Sequence, residues 1–119
     1  MRIKAILYFL TLSSVLFFLT VNSSFSSNEL SARILLYKTI EVGDLENAKI
    51  LISDTDINYQ DQLGYTLLYK AVFYDRLNFV QYFFELGANV NISDIEGLTP
   101  LHVAALENLP DIIKNLKDK

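Results

Sequence analysis

Apolar positions along the chain fall into two regimes. From Ala5 to Val21 they run on without a single charge, and from about residue 28 they come in short clusters separated by turn residues. The clusters Phe79, Val80, Phe83, Phe84 and Ile112, Ile113, Leu116 follow the i, i+1, i+4 spacing that gives a helix one buried face. Gly87 supplies a stop for the first of these helices. Gly43, Asp75 and Asn108 stand between clusters and are residue types that tolerate a left-handed backbone. The pattern predicts pairs of short helices joined by tight turns.

The pairs are copies of one another. Asp61-Gln62-Leu63-Gly64-Tyr65-Thr66-Leu67-Leu68 followed by Ala71 aligns with Asp94-Ile95-Glu96-Gly97-Leu98-Thr99-Pro100-Leu101 followed by Ala104, a spacing of 33 residues. Ile57-Asn58 pairs with Val90-Asn91 at the same spacing. Upstream, Leu35-Leu36-Tyr37-Lys38 returns as Leu67-Leu68-Tyr69-Lys70 at a spacing of 32, one residue being absent near Thr55. The chain from about residue 28 therefore reads as three units, about 28–61, 62–94 and 95–119.

Local chemistry predicts how each unit starts and turns. Thr99 before Pro100 is a helix start, because threonine caps and proline at the first helical position gives up an N–H that would be unpaired anyway. Thr66 takes the same capping place in the middle unit, and Ser26-Ser27-Asn28-Glu29 reads as a capping box for a longer first helix. Asp-x-x-Gly at 61–64 and 94–97 predicts a type I turn, which would project a tight finger from the helices.

Gly97-Leu98-Thr99-Pro100-Leu101-His102-Val103-Ala104-Ala105 and the unit ending Leu86-Gly87-Ala88-Asn89-Val90-Asn91 resemble the signature of the ankyrin-repeat family. The resemblance covers about residues 28–119 and implies an all-α solenoid of stacked helix-turn-helix units joined by β-turn fingers. The middle unit departs from the pattern in having Leu67 and Tyr69 where proline and histidine are usual, and the first unit opens with Ala32-Arg33-Ile34 in place of Gly-x-Thr. Lys117 stands in the last unit where an apolar residue is usual. Such deviations suit the outer faces of end caps, which meet water.

The apolar stretch at the N-terminus changes the picture of location. Arg2 and Lys4 precede the uncharged run, and Val21-Asn22-Ser23 offers small residues where a signal peptidase cuts. We read residues 1–23 as a signal peptide cleaved after Ser23, with Ser24 to Ser26 as a second site, and residues 24–119 as the repeat domain. The alternative is an uncleaved anchor: seventeen residues sit at the bottom of the range that spans a bilayer, and Thr11, Ser13, Ser14 and Thr20 weaken the run. Either reading places the repeats outside the cytoplasm, in the periplasm or secreted.

Removal of residues 1–23 leaves eight Lys and Arg against fourteen Asp and Glu, a net charge of −6. That surface disfavours nucleic acid and anionic membrane and suits a basic partner. With no cysteine, disulfides, thiolate catalysis and thiolate metal sites are excluded. His102 is the one histidine and has no triad or ligand cluster beside it; the family resemblance gives it a role in fixing the backbone within and between repeats. Asp54-Thr55-Asp56-Ile57-Asn58 opens like a calcium loop, but Tyr59 stands where the loop needs glycine and Tyr65 where it needs glutamate. The sequons Asn22-Ser23-Ser24 and Asn91-Ile92-Ser93 are chance matches on this reading. No metal, cofactor or catalytic residue is expected.

These readings converge on an exported protein-binding module, not an enzyme. The family's contact surface is formed by the fingers and the inner helices. Its matching positions here are Gln62, Leu63 and Tyr65 on one finger and Ile95, Glu96 and Leu98 on the next. The inner helices add Lys70, Tyr74, Val103 and Leu106. Tyr59, Tyr65, Tyr69, Tyr74 and Tyr82 are further candidates, since tyrosine buries much area while keeping its hydroxyl satisfied. One form of the function is an inhibitor or immunity-type protein covering its partner. Self-assembly through an apolar end face, or a membrane-anchored ankyrin protein, are the other readings, with a monomer favoured over a homo-oligomer.

Overall fold

A computed structural model describes residues 27–53 and 55–119 of the chain. Two compact units divide it, residues 1–33 and 34–119. Of the first, only 27–33 are described, as the opening of a helix. The proposed signal peptide and the capping box at Ser26 lie outside the described residues, and so does Asp54.

Six helices and no strand are found among the described residues: α1 (Ser27–Val42), α2 (Leu45–Leu51), α3 (Leu67–Phe73), α4 (Leu77–Glu85), α5 (Pro100–Leu106) and α6 (Pro110–Lys117). None of them is long and apolar enough to cross a membrane. Antiparallel pairs α3/α4 and α5/α6 pack within their repeats, while α3 lies on α5 and α4 on α6 between repeats. Ala71 and Ala104, both fully buried, stand on the two helices that meet. The core is built from Leu36, Ile40, Leu68, Val72, Phe79, Val80, Phe83 and Ile112, with Phe79 and Phe83 edge to face at 5.9 Å. Phe84 and Ile113, expected on the same faces, are only partly buried against it.

The turns between helices follow the residues that predict them. Gly43, Asp75 and Asn108 have φ of 85°, 55° and 54°. After each of them the next N–H reaches back five residues: Asp44 to the Thr39 carbonyl, Arg76 to Ala71 and Leu109 to Ala104, at 2.8–2.9 Å. Ala88 does the same to Phe83 after Gly87. This is the Schellman closure, which satisfies carbonyls that the helix end leaves open. The left-handed residue sits just past each helix end, where glycine is unstrained and aspartate and asparagine are tolerated.

Helix starts also follow the sequence. Thr66 Oγ1 accepts from the Tyr69 N–H at 3.1 Å. At the next start His102 contributes as well: its Nδ1 accepts from the Thr99 N–H at 3.0 Å and lies 2.8 Å from Thr99 Oγ1. Nδ1 is thus an acceptor, which places the ring proton on Nε2. The bond made by His102 stays within its own repeat.

Candidate protein-binding surface

Both fingers are closed by an identical set of bonds, 33 residues apart. In the first, Asp61 N–H donates to the Tyr65 carbonyl, Gly64 N–H donates to the Asp61 carbonyl, and Asp61 Oδ1 accepts from the Leu63 and Tyr65 N–H groups. In the second, Asp94 N–H donates to Leu98, Gly97 N–H donates to Asp94, and Asp94 Oδ1 accepts from Glu96 and Leu98. One carboxylate oxygen thus ties two N–H groups in each turn, so the side chains between Asp and Gly are free of any duty in shaping it.

The fingers are also tied to each other. Ile95 N–H donates to the Leu63 carbonyl at 3.1 Å. The Gln60 amide donates to the Gly64 and Ser93 carbonyls at 3.0 and 2.9 Å, and Asn58 Oδ1 accepts from the Asn89 N–H at 2.7 Å. A further link is Tyr69, whose hydroxyl donates to Asp94 Oδ2 at 2.8 Å across 25 residues of sequence. Burial followed by this bond to Asp94 raises the Tyr69 pKa well above the ordinary tyrosine range. Burial would raise that of Asp94 too, but the Leu98 N–H, the Tyr69 hydroxyl and the Glu96 and Gly97 N–H groups outweigh it and hold the carboxyl below its ordinary range.

Against this frame the ten expected contact residues separate into three groups. Gln62, Leu63, Ile95, Glu96 and Leu106 are exposed, Ile95 at 69% and Leu106 at 73%. Lys70 and Tyr74 are half-buried on α3 and just past its end. Tyr65 and Leu98 are half-buried too, and Val103 departs from expectation. Val103 is only 5% exposed and belongs to the core, because its place on α5 faces inward between neighbouring helices. It cannot be a contact residue without unpacking the repeat. Tyr65 and Leu98 pack partly against the core at the base of their fingers instead of projecting from the tips. The Tyr65 ring stacks on Tyr69, centroids 4.5 Å apart.

Sequence reasoning passed over two groups that build this surface. Arg76, in the turn before α4, donates to the Ile40 and Glu41 carbonyls at the C-terminal end of α1. That helix has no basic residue of its own in its last turn, so Arg76 supplies the charge that its dipole favours. Gly43 leaves room for this side chain: a Cβ there would lie 3.2 Å from the guanidinium carbon. Phe73, 54% exposed, lies edge to face with Tyr74 at 5.1 Å. With Tyr65, Tyr69, Lys70 and Tyr74 it lines a cavity of about 110 Å³. Among the described residues no group of His, Asp and Glu is placed to hold a metal ion.

The stacked helix pairs and paired fingers are those of an ankyrin array, and a family model for ankyrin repeats in three copies matches residues 30–119. The chain belongs to the ankyrin-repeat family, a protein–protein interaction fold. It is 42% identical over 67 residues to an ankyrin repeat protein of fowlpox virus (strain NVSL), covering 56% of this chain and 36% of that protein. It is 26% identical over 84 residues to a BTB/POZ domain and ankyrin repeat-containing protein of Oryza sativa subsp. japonica, covering 71% of this chain and 14% of that one. The chain thus spans well under half the length of either relative.

Proposed function

We propose that this chain is an exported, non-enzymatic binding module that holds a partner protein on its fingers and inner helices, as an inhibitor or immunity-type protein would. The observation that carries the reading is the division of labour within the fingers. Asp61, Gly64, Asp94 and Gly97 close the turns, while Leu63 and Ile95 are apolar, 49% and 69% exposed, and required by no bond that their side chains make. Apolar groups on adjacent solvated tips are expected where something covers them. Export rests on the uncharged run from Ala5 to Val21 behind Arg2 and Lys4.

The test is affinity capture with the full chain, tagged at its C-terminus and expressed in its own host, followed by N-terminal sequencing of the recovered protein. A mature chain starting near Ser24 that retains one dominant partner supports the proposal. A chain beginning at Met1 and pelleting with membranes would replace export by anchoring. Recovery of the chain alone, as a stable oligomer, would move the function to self-assembly.

A further inference from the structure

The cavity beside the fingers has a chemistry of its own. Four of its five walls are aromatic: Tyr65, Tyr69, Phe73 and Tyr74. The fifth is Lys70, whose ammonium stands 4.7 Å from the Tyr65 ring centroid and 5.2 Å from that of Tyr37. Both distances lie within the reach of a cation–π contact. Lys70, like the C-terminal lysines, makes no ion pair among the described residues. Tyr69 is held in turn by Asp94. The result is a half-buried cation set between rings at the edge of a small apolar slot, with no ion-pair partner among the described residues.

We infer that this cavity is a subsite for a carboxylate-bearing side chain of the partner, flanked by an apolar side chain that enters the slot. This rests on the proposal that the finger and inner-helix face is the binding surface, and it names the chemistry of one point on that face. At about 110 Å³ the cavity is far smaller than a small-molecule site of roughly 300 Å³ or more, and it has room for one side chain. Charge sets the rest of the ligand. Residues 24–119 carry a net charge of −6, which repels an acidic chain at long range, so the matching segment is neutral or basic overall and carries a single carboxylate. An ammonium already held by two rings loses little freedom on pairing, and the partner's carboxylate meets it where water is partly excluded.

The experiment titrates the purified chain with three short capped peptides, acetyl-Gly-Phe-Glu-Gly-amide and its Gln and Lys counterparts, and follows the ring signals of Tyr65, Tyr69 and Tyr74 by NMR. The Glu peptide is expected to shift these signals saturably and to bind about three- to fivefold more tightly than the Gln peptide, the scale of a partly exposed ion pair. Lys70→Met should erase that difference and Lys70→Arg should keep it, while unchanged core signals from Phe79 and Phe83 report an intact fold. Equal responses to all three peptides, or tighter binding of the Lys peptide, would overturn the inference. A captured partner whose binding is indifferent to Lys70→Met but lost on altering the fingers would overturn the subsite and leave the proposed function standing.

Discussion

Tyr69 stands at the position that His102 occupies one repeat later, and the two side chains solve different problems. His102 turns back to its own helix start, where it accepts the Thr99 N–H. Tyr69 is too long for that. Its own N–H is already taken by Thr66, and its hydroxyl crosses to Asp94 of the next finger. Tyr69→Phe keeps the ring and removes one bond to a charged oxygen, so it should destabilise the array by about 1.5–3 kcal/mol, read as a lower urea midpoint. The same contact makes a statement about pH. A carboxyl held below its ordinary value contributes stability that is complete above that value, near 4, and is lost as pH falls through the lower, folded one. Stability should therefore decline on the acid side, and Asp94→Asn should flatten that decline while lowering stability at neutral pH. Urea midpoints measured from about pH 7 to about pH 3 check both, and an unchanged acid slope in Asp94→Asn would assign the decline to other carboxylates.

Among the elements, the finger turns separate backbone strain from packing. Gly64 and Gly97 have φ of 80° and 82°, so alanine is strained equally at either place. A Cβ on Gly64 would also lie 2.9 Å from the Asp94 Cα and the Ile95 N, backbone atoms of the next finger, whereas one on Gly97 meets nothing within 4 Å. Gly97→Ala should cost only the left-handed penalty, about 1–2 kcal/mol, and Gly64→Ala distinctly more, because two fingers must part. Thermal unfolding of the two variants decides it, and equal losses would mean that the fingers are not in register. These elements were largely legible beforehand. Asp-x-x-Gly, the threonine caps and the left-handed triad act through bonds among near neighbours, and residue type alone determines them. What could not be read was reach and facing. Arg76 bonds to carbonyls 35 and 36 residues upstream, a link that no local spacing signals. Tyr65, Leu98 and Val103 match the family's surface positions in register, yet register does not tell how far a ring or a methyl sinks between helices once neighbouring repeats close over it.

For the whole molecule, stability in a repeat array is a sum over units and the contacts between neighbours. The first repeat has no Asp-x-x-Gly finger at its start, so apart from the bonds of Asn58 and Gln60 to Asn89 and Ser93 its tie to the second depends on helix packing and on Arg76. Removing the guanidinium in Arg76→Ala should cost on the order of 2 kcal/mol and should act locally. Amide exchange in residues 34–52 should quicken first, with α3 to α6 still protected. Uniform quickening would show instead that the array unfolds as one unit. The fingers present the opposite case, a feature expected to matter for binding and not for folding. Leu63 and Ile95 sit on successive tips, their backbones joined by the bond from Ile95 N–H to the Leu63 carbonyl, and that bond is indifferent to side chain. In Leu63→Ala with Ile95→Ala the turns keep every bond from Asp61 and Asp94, and stability should change by no more than about 0.5 kcal/mol. Partner affinity should fall by about 2 kcal/mol or more, the scale of an interface hot spot, since the apolar groups that the partner would cover are gone. Calorimetry of the captured partner against this double variant, paired with its melting curve, measures both quantities on one sample. Full affinity with an intact fold would move the interface off the fingers and onto the outer helices around Tyr82, where Lys49 lies 5.6 Å from the ring.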